Sequence, residues 1–381
     1  MRLAVVSHPC ITPVNQDFYA RVQAQTGWDV TILLPRRWKT EYGWRRVERW
    51  PAFDGGLIPL QVALAGHVPL HAYIARVGSR LRALRPDVVY VHNEPYAVST
   101  FEFSWAAHGL DRIPVGFYSA QNLNKRYPWP IRRMEHWVHE HADFAFPVSS
   151  AVAGVLRDKG FRNRLEILPL PVDVQRLRPA VEVRSREGGT FTAAYVGRLA
   201  GEKGVDTLIT AMSLLREEDV RLLVAGNGPA LHDLRARAES LDVQRRVSWE
   251  GYVPHDSIMS VYRRVDVLIV PSRTVRNWKE QFGRVVTESL ACGVPVITSD
   301  SGELPQLMAQ TGGGWTFAEG NPTALAHAIR HVIANPREAR ERAERGRRAV
   351  EQLFSADAVA HRFTAVVGEV VRSREPERAT G

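Results

Sequence analysis

Cysteine is scarce in this chain of 381 residues, which has only Cys10 and Cys292. Two thiols so far apart in sequence form neither a disulfide framework nor a metal-binding knuckle, so we expect a reducing compartment. No run of residues approaches the ~18 consecutive apolar residues that a membrane span needs. The opening Met-Arg-Leu-Ala-Val-Val-Ser becomes polar too quickly for a signal peptide and predicts a β-strand. We therefore expect a cytoplasmic protein that at most associates peripherally with the inner face of a membrane.

Two motifs of nucleotide chemistry are also missing. The chain has no Gly-x-Gly-x-x-Gly fingerprint, which argues against a nicotinamide-dependent dehydrogenase. It has no Asp-x-Asp motif in a loop, so we expect neither a metal nor a cofactor. Internal repeats and low-complexity tracts are absent from the sequence. What remains is an ordinary globular composition, with 45% apolar and 24% charged residues, in a chain long enough for two domains.

The net charge of +9 is concentrated in the first half of the chain. Residues 1–180 contain 23 Lys and Arg against 15 Asp and Glu. The densest cluster, called the basic cluster below, mixes cationic and aromatic side chains: Arg36, Arg37, Trp38, Lys39, Tyr42, Trp44, Arg45, Arg46, Arg49 and Trp50. Such a mixture suits anionic lipid headgroups or an acidic acceptor, and suits nucleic acid much less well. A solvated loop with its aromatic residues in the core explains the cluster equally well.

Short apolar runs alternate with helical patterns, which is typical of parallel sheets covered on both faces. In the first half, we predict strands at 3–6, 30–34, 88–91, 115–118 and 144–148, and helices near 14–26, 70–84, 97–108, 131–141 and 150–159. In the second half, we predict strands at 191–196, 220–225, 246–249, 266–270, 294–298 and 314–317, and helices near 203–216, 229–240, 255–264, 284–291, 303–308, 321–334, 336–352 and 356–373. A polar stretch at 175–190, with Arg184, Ser185, Arg186, Glu187, Gly188 and Gly189, predicts the linker between two domains.

Two cations follow the first strand of the second domain, and open α/β sheets bind ligands at such strand ends. Gly197 and Arg198 end that strand, and Lys203 stands near the start of the next helix. Helix N-termini attract anions, Arg binds phosphate oxygens bidentately and Lys acts as a compact charge, so the group suits a diphosphate. Taken alone, such a pair of cations is more often explained by a solvated loop.

Two further segments have the composition of ligand-binding loops. Gly226-Asn227-Gly228-Pro229 after the next strand permits close approach to a ligand, although a purely structural turn explains it equally well. Glu280 and Glu288 lie eight residues apart, with Gly283 where a loop should become a helix. Carboxylates accept hydrogen bonds from the paired hydroxyls of sugars, and the amides of 282–285 could meet a phosphate. Taken alone, Glu288 is more simply explained as a solvated helix residue.

Together these segments resemble the retaining glycosyltransferases of family 4. The shared pattern is Gly-Arg-x₄-Lys-Gly, then Gly-x-Gly-Pro, then Glu-x₇-Glu running into Ala-x-Gly-x-Pro-Val, and the resemblance is strongest over 191–310. It implies an α/β chain of the GT-B fold, with two doubly wound Rossmann-like domains facing across a cleft. The implied domains are 1–174, on the acceptor side and joined by a returning helix at 356–373, and 175–355, which binds the nucleotide sugar.

The resemblance also implies roles for individual residues. Arg198 and Lys203 bind the donor diphosphate, Glu280 contacts the sugar and Glu288 contacts the ribose. Arg198, Lys203 and Glu280 form the catalytic group, and the remaining implied donor-binding residues are Gly197, Asn227, Gly228, Val253, Phe282, Gly283, Arg284 and Val285. The backbone of Val253 is the expected base contact. No metal ligands are expected, because the two cations replace a divalent ion.

The first domain departs from the family pattern on the acceptor side. Many relatives have Gly-Gly in the first strand–helix loop, where this chain has Ser7-His8-Pro9-Cys10. Many also have a His near the reacting carbon, where Gln121 or Asn122 stands here, a variant similar to bacterial exopolysaccharide glycosyltransferases. His8, His92, Glu94, Gln121 and Asn122 are therefore acceptor-side candidates. A strand-end residue such as His92 is more often structural than catalytic.

The resemblance implies transfer of a sugar from a nucleoside-diphosphate sugar to an acceptor hydroxyl, with retention, in polysaccharide or glycoconjugate biosynthesis. The expected partners are this donor and a carbohydrate, lipid-linked or other hydroxyl acceptor, with peripheral contact to anionic membrane as a further option and no nucleic acid. One alternative is a non-catalytic nucleotide-sugar-binding protein, which the presence of both cations and both carboxylates argues against. The other is a nucleotide-sugar epimerase, which would convert the donor without an acceptor.

Overall fold

The computed structural model describes residues 1–40, 43–110, 113–179 and 189–379, with side chains as far as Arg374. These residues form two compact units, Met1–Pro169 with Ala356–Gly381, and Leu170–Ser355. The sequence predicts the boundary slightly later, between residues 174 and 175. Tyr42 of the basic cluster and residues 180–188 of the predicted linker lie outside the described residues.

Strands and helices alternate through most of the chain. The strands are β1 (Arg2–Val6), β2 (Asp29–Pro35), β3 (Arg37–Thr40), β4 (Gly43–Arg46), β5 (Gly56–Leu60), β6 (Val62–Ala63), β7 (Ala72–Tyr73), β8 (Val88–Val91), β9 (Val115–Ser119), β10 (Phe144–Pro147), β11 (Arg164–Leu165), β12 (Phe191–Val196), β13 (Val220–Ala225), β14 (Val247–Gly251), β15 (Val267–Val270), β16 (Val296–Ser299) and β17 (Gly314–Phe317). The helices are α1 (Asp17–Thr26), α2 (Val77–Leu84), α3 (Val98–His108), α4 (Trp129–His141), α5 (Ser150–Asp158), α6 (Val205–Leu214), α7 (Leu231–Ser240), α8 (Ile258–Tyr262), α9 (Arg284–Ala291), α10 (Leu304–Thr311), α11 (Pro322–Ala334), α12 (Pro336–Leu353) and α13 (Ala356–Ala379).

The first unit is built on a seven-stranded parallel sheet with the strand order β11-β10-β9-β8-β1-β2-β5. Successive side chains of β1 point to opposite faces, so Leu3 and Val5 join one buried cluster whereas Ala4 and Val6 join another. Because both faces of the sheet are covered, β1 is apolar without alternation. This is why its sequence predicts a buried parallel strand.

Helix α13 belongs to the first unit, although the second unit precedes it along the chain. It packs on α1, and Val359, Phe363 and Val367, spaced four residues apart, join the buried cluster on that face of the sheet. The ring of Phe363 meets those of Phe18 and Tyr90 edge-on, with centroids 5.5 and 5.1 Å away. The helix continues to Ala379, beyond the predicted 356–373. No helix among the described residues has the length and apolarity needed to cross a bilayer.

The second unit has a six-stranded parallel sheet with the order β14-β13-β12-β15-β16-β17. The order reverses between β12 and β15, which pair through Ala193 and Val267. At such a switch point, the loops after the two strands diverge and leave a crevice in which ligands bind. The first unit has the same reversal between β1 and β8. The loops after these four strands are therefore the expected ligand-binding segments.

The basic cluster folds as a β-hairpin of β3 and β4, which the sequence does not predict. Trp38 is buried, and the centre of its ring lies 4.8 Å from those of both His8 and His71. Trp44, on the second strand of the hairpin, is 58% exposed. The basic cluster is therefore not a solvated loop whose aromatic residues all enter the core.

The predicted helix near 70–84 is wrong over its first turns. Residues 72 and 73 form β7, which pairs with β6, and α2 begins only at Val77. Tyr73 is buried, and its backbone N–H donates to Glu102 Oε2 at 3.0 Å. Tertiary contacts of this kind override a weak local helical preference. The predicted helix near 255–264 is likewise a 3₁₀ turn, His255–Ser257, followed by the short α8.

Candidate active site

The loop after β12 and the segment after β15 touch at the switch point of the second unit. Gly204 has a φ of +67°, and a Cβ there would lie 1.9 Å from the carbonyl oxygen of Pro271. Only glycine tolerates both the left-handed backbone and this close approach. The contact holds the 3₁₀ turn Gly201–Lys203, which precedes α6, beside the residues that follow β15.

The ammonium group of Lys203 lies at this junction. Its Nζ is 2.9 Å from Glu280 Oε2 and 4.3 Å from the centre of the Trp278 ring. The hydroxyl of Ser272 donates a second hydrogen bond to Glu280 Oε2, at 2.7 Å. The side chains of Lys203 and Glu280 are 25% and 11% exposed, so the ion pair is partly shielded from water. One predicted cation and one predicted carboxylate, 77 residues apart in sequence, thus form a single charged pair.

Arg198 directly follows β12, in a loop that its neighbours hold in place. The hydroxyl of Tyr195 donates to the carbonyl oxygen of Arg198 at 2.7 Å. The N–H of Leu199 donates to the carbonyl oxygen of Asn227 at 2.9 Å. A Cβ on Gly228 would lie 2.2 Å from the Leu199 carbonyl oxygen, so glycine is required there. The glycine-rich turn after β13 is therefore packed directly against the loop of Arg198.

Glu288 sits in α9 with 4% of its surface exposed. Its Oε2 accepts a hydrogen bond from the Tyr262 hydroxyl at 3.1 Å, and its Oε1 lies 3.0 Å from His255 Nε2. The other ring nitrogen of His255, Nδ1, lies 2.8 Å from Arg176 Nη2. Because a guanidinium only donates, Nδ1 accepts and Nε2 carries the hydrogen that is donated to Glu288.

This network around Glu288 contains three residues that the sequence did not point to. Tyr262, His255 and Arg176 lie far from Glu288 in sequence, and none belongs to a recognisable motif. The one available signal was the position of His255, two residues after the expected base contact, Val253. The network fixes the orientation of the Glu288 carboxylate.

The other predicted donor-binding residues lie where loops meet helices. Gly283, with a φ of +86°, is the residue before α9. Phe282 is 5% exposed and its ring lies 5.9 Å from that of Phe354, so its backbone rather than its side chain is left for a ligand. The loops and helix starts that follow β12, β14 and β15 hold the remaining members of the set: Gly197, Val253, Arg284 and Val285.

His92 lies at the switch point of the first unit, immediately after β8. Its Nδ1 is 3.2 Å from the Tyr19 hydroxyl and 3.5 Å from Ser7 Oγ, which belongs to the loop after β1. Its ring meets that of Tyr118 edge-on, with the centroids 4.8 Å apart. Neighbouring side chains therefore fix the position of this imidazole.

His8 follows Ser7 in the same loop and packs against the rings of Trp38 and His71. Burial, with smaller contributions from His71 and His92, holds the pKa of His8 well below its usual value. Its ring is therefore neutral at physiological pH. Its Nδ1 has no hydrogen-bond partner among the described residues.

Glu94, in the loop after β8, accepts two hydrogen bonds from residues at the end of β9. It accepts from the Ser119 hydroxyl at 2.7 Å and from the backbone N–H of Ala120 at 2.8 Å. Burial raises the pKa of Glu94 to about 7, against the effect of these two donors. Gln121 Oε1 accepts from a backbone N–H two residues further on, at 3.1 Å, and Asn122 is only 3% exposed. Glu94 is therefore an acceptor-side candidate that can change its charge near neutral pH.

Two family descriptions match successive parts of the chain. Residues 19–176 match Glycosyltransferase Family 4, and residues 181–349 match Glycosyl transferases group 1. A GDP-mannose-dependent alpha-(1-6)-phosphatidylinositol dimannoside mannosyltransferase of Mycobacterium tuberculosis is 30% identical over 312 residues, which are 77% of this chain and 76% of that protein. The chain belongs to glycosyltransferase family 4.

This family 4 glycosyltransferase is similar to further proteins. Glycogen synthase of Mycobacterium tuberculosis is 27% identical over 305 residues, covering 76% of this chain and 72% of that protein. The Anabaena protein HepE, solved in complex with UDP, superposes with a TM-score of 0.74 at 16% identity, covering 97% of this chain and 100% of HepE. At this identity, the similarity to HepE shows the fold alone. The predicted family and the predicted GT-B architecture are confirmed, whereas the roles of individual residues stay predictions.

Proposed function

We propose that this glycosyltransferase takes its sugar from a nucleoside-diphosphate sugar and transfers it to an acceptor hydroxyl with retention of the anomeric configuration. The observation that carries the proposal is the pairing of Lys203 with Glu280 at the switch point of the second unit. An ammonium group suits a phosphate, and a carboxylate beside it suits the hydroxyls of the attached sugar. A single small site thus offers both halves of a donor molecule a matching partner.

The chemistry follows from the charge that develops on the departing diphosphate. Arg198 and Lys203 would stabilise that charge, together with the backbone N–H groups at the start of α9. Removing one preorganised donor of this kind typically slows the reaction by ~10²–10³-fold. The departing phosphate itself would take the proton of the acceptor hydroxyl. Arg198 and Lys203 supply the positive charge, so the proposed reaction needs neither a metal nor another cofactor.

The nucleoside is assigned to the Glu288 side of the site. Glu288 is positioned by Tyr262 and His255, so its carboxylate is preorganised to accept hydrogen bonds from two vicinal ribose hydroxyls. The backbone of Val253 would meet the base. A nucleotide donor agrees with the UDP bound to HepE and with the GDP-mannose dependence of the mannosyltransferase relative.

The acceptor is proposed to be a glycan or a lipid-linked saccharide of polysaccharide or glycoconjugate biosynthesis. A glycogen synthase and a phosphatidylinositol dimannoside mannosyltransferase are among the relatives, and their names support an acceptor of either kind. Cys10 and Cys292 are both free and buried, which agrees with a reducing compartment, and a cytoplasmic location stays a prediction. Nucleic acid is not among the proposed partners.

The hairpin of β3 and β4 supports a peripheral contact with anionic membrane. Arg37 lies directly opposite Arg46, and Lys39 lies opposite Trp44, so these four side chains share one face. Like charges in directly opposed positions destabilise a hairpin, and an anionic surface would relieve that repulsion. An exposed tryptophan beside them is suited to the headgroup region of a bilayer. Sedimentation with phosphatidylglycerol vesicles should therefore fall in Arg37→Gln/Arg46→Gln, while unchanged sedimentation would remove the membrane contact from the proposal.

A thermal-shift screen with UDP-, GDP-, ADP- and TDP-sugars tests the donor. The correct donor should raise the melting temperature, because a ligand that binds only the folded protein stabilises it. The shift should shrink in Arg198→Gln and in Lys203→Gln. Arg221→Gln is the matched control, because this exposed cation lies near the amino end of β13 and its removal changes the net charge equally. Equal shifts in all four proteins would refute the assignment of the two cations.

Product analysis separates transfer from the two alternative activities. Incubation of the donor with an acceptor panel should give a new glycoside, and ¹H NMR of its anomeric proton should show the configuration of the donor. Donor binding without any transfer would indicate a non-catalytic binding protein. Conversion of the sugar nucleotide without an acceptor would indicate an epimerase.

A further inference from the structure

The first unit contains a cavity of about 530 Å³ that none of the predicted site residues lines. Its walls come from α4, from the segment before α4 and from Lys159 after α5: Asn124, Lys125, Arg126, Tyr127, Trp129, Arg132, Arg133, Glu135, His136, His139 and Lys159. The α4 residues at positions 129, 132, 133 and 136 recur at the spacing of one helix face. One face of a single helix thus forms much of the wall.

The charge of the cavity is strongly positive. Five of the lining residues are Lys or Arg, and the single carboxylate is Glu135. Glu135 is already neutralised, since its Oε1 lies 2.7 Å from Lys159 Nζ and its residue is 6% exposed. Four cations are left without an opposing carboxylate in the wall. A cavity with this balance favours an anionic ligand.

One of the lining residues, His139, has a buried polar atom without a partner. His139 is 3% exposed, and its Nδ1 lies 3.3 Å from the carbonyl oxygen of Lys159. A carbonyl oxygen only accepts, so Nδ1 carries the hydrogen and Nε2 is left as an acceptor. That Nε2 has no hydrogen-bond partner among the described residues. Burial lowers the pKa of His139 to about 4, so the neutral ring is retained at physiological pH.

Aromatic side chains complete the wall. Trp129 is 66% exposed, and its indole offers a flat apolar surface that the C–H face of a sugar ring can cover. The ring of Tyr127 lies 4.6 Å from Lys159 Nζ and 4.4 Å from the ring of Tyr96. Glu135 and Lys159, which line the cavity, lie close enough to Glu94 for their charges to influence the pKa of its carboxyl, so the cavity adjoins an acceptor-side candidate. A charged sugar is recognised by three elements: cationic side chains, an atom that accepts a hydrogen bond from a sugar hydroxyl, and aromatic surfaces.

We propose that this cavity binds an anionic sugar unit of the acceptor, one that bears a phosphate or a carboxylate. Arg132 and Arg133 supply the charge for the anionic group, and His139 Nε2 accepts a hydrogen bond from a sugar hydroxyl. The inference rests on the proposed function only in naming the bound saccharide as the acceptor. Binding of a charged sugar to the cavity does not itself depend on the donor.

Calorimetric titration of the full-length enzyme tests the proposal with four probes: glucose 6-phosphate, glucuronate, glucose and inorganic phosphate. The first two distinguish a phosphate from a carboxylate as the preferred anion. At least one of them should bind roughly tenfold or more tightly than glucose, because hydrogen bonds to charged groups are stronger than hydrogen bonds between neutral groups. Arg132→Gln/Arg133→Gln should lose that preference. Arg80→Gln/Arg82→Gln on α2 is the matched control, since it removes the same charge from exposed positions of the same unit and should keep the preference.

A second variant tests whether His139 Nε2 accepts a hydrogen bond from a sugar hydroxyl. His139→Phe keeps an aromatic ring against Phe117 and Phe161 and removes Nε2. It should weaken the binding of glucose 6-phosphate and of glucuronate several-fold and leave the binding of inorganic phosphate unchanged. Equal affinity for glucose and its charged derivatives, or an unchanged preference in Arg132→Gln/Arg133→Gln, would overturn the proposal. Binding only to phosphatidylglycerol vesicles or to an oligoribonucleotide would also overturn it.

Failure here is distinguishable from failure of the donor assignment. The thermal shift produced by the donor should be the same in wild type and in Arg132→Gln/Arg133→Gln, because these residues belong to the first unit and the proposed donor site to the second. A normal donor shift without charged-sugar binding refutes this inference alone. Charged-sugar binding without any donor shift supports the cavity and refutes the proposed function.

Discussion

Replacement of Glu280 by Gln isolates the effect of this carboxylate on Lys203 before a nucleotide binds. The two charged atoms lie 2.9 Å apart, and at an effective dielectric constant of about 20 their attraction amounts to about 6 kcal/mol before desolvation is counted. Desolvation of both groups offsets most of this attraction. A diphosphate must nevertheless draw the ammonium group away from its existing partner. Gln keeps the size of the side chain and can still accept from Ser272, but it removes the competing charge.

We therefore expect Glu280→Gln to bind a nucleoside diphosphate more tightly than wild type while it loses sugar transfer. If about 1.4 kcal/mol of the net pairing energy is released, the dissociation constant falls about tenfold. Transfer should fall by ~10²-fold or more, because the group that contacts the sugar is lost.

Isothermal titration with UDP, or with the diphosphate that the thermal-shift screen selects, measures the first quantity. Glu239→Gln is the matched control, since this exposed carboxylate of α7 has no ion pair among the described residues and its removal changes the net charge equally. Weaker binding in Glu280→Gln would refute the reasoning, because Glu280 would then be holding Lys203 in its binding geometry rather than competing for it.

Three further changes have outcomes that the structure sets. In Gly204→Ala, the added Cβ would clash with the Pro271 carbonyl, so the free energy of unfolding should fall by at least about 2 kcal/mol and donor binding should be lost. Urea denaturation measures the loss of stability, and the donor thermal shift measures the loss of binding. Tyr262→Phe should cost about 1–2 kcal/mol in urea denaturation, because buried Glu288 loses one donor, and a fully stable variant would contradict the network. For Glu94, a pKa raised to about 7 makes the free energy of unfolding fall, by up to about 3 kcal/mol, as pH rises from about 4.5 to 7. The free energy of unfolding of Glu94→Gln should not show this fall. Stability profiles against pH that run parallel in the variant and in wild type would contradict the prediction.

The sequence predicts most strands of the two large sheets, because those strands are buried on both faces. Runs such as β8 and β12 are apolar without alternation, and few other structures produce that pattern. The strands that escape prediction are short or lie at an edge. β5 contains Pro59 and lies at the edge of its sheet, and β3 is a four-residue strand rich in charge. Such segments are determined by their partners rather than by their own composition.

The candidate site divides in the same way. Glu280, Glu288, Arg198 and Lys203 stand in motifs that a single sequence displays. Their partners do not, since the hydroxyl of Tyr262 and the imidazole of His255 reach Glu288 only through the packing of α8 and the preceding turn against α9. Likewise, no local pattern indicates that a lysine and a glutamate 77 residues apart will form one ion pair; the switch point of the sheet brings them together.

The central claim is that Arg198 and Lys203 grip the diphosphate of the donor. The most direct test compares the affinities of a nucleoside diphosphate and its monophosphate for wild type and for Arg198→Gln/Lys203→Gln. Wild type should prefer the diphosphate by roughly 10²-fold or more, since hydrogen bonds to charged groups contribute about 1.5–3 kcal/mol each. The double variant should lose most of that preference. A double variant that still distinguishes the two nucleotides as strongly as wild type would contradict the claim.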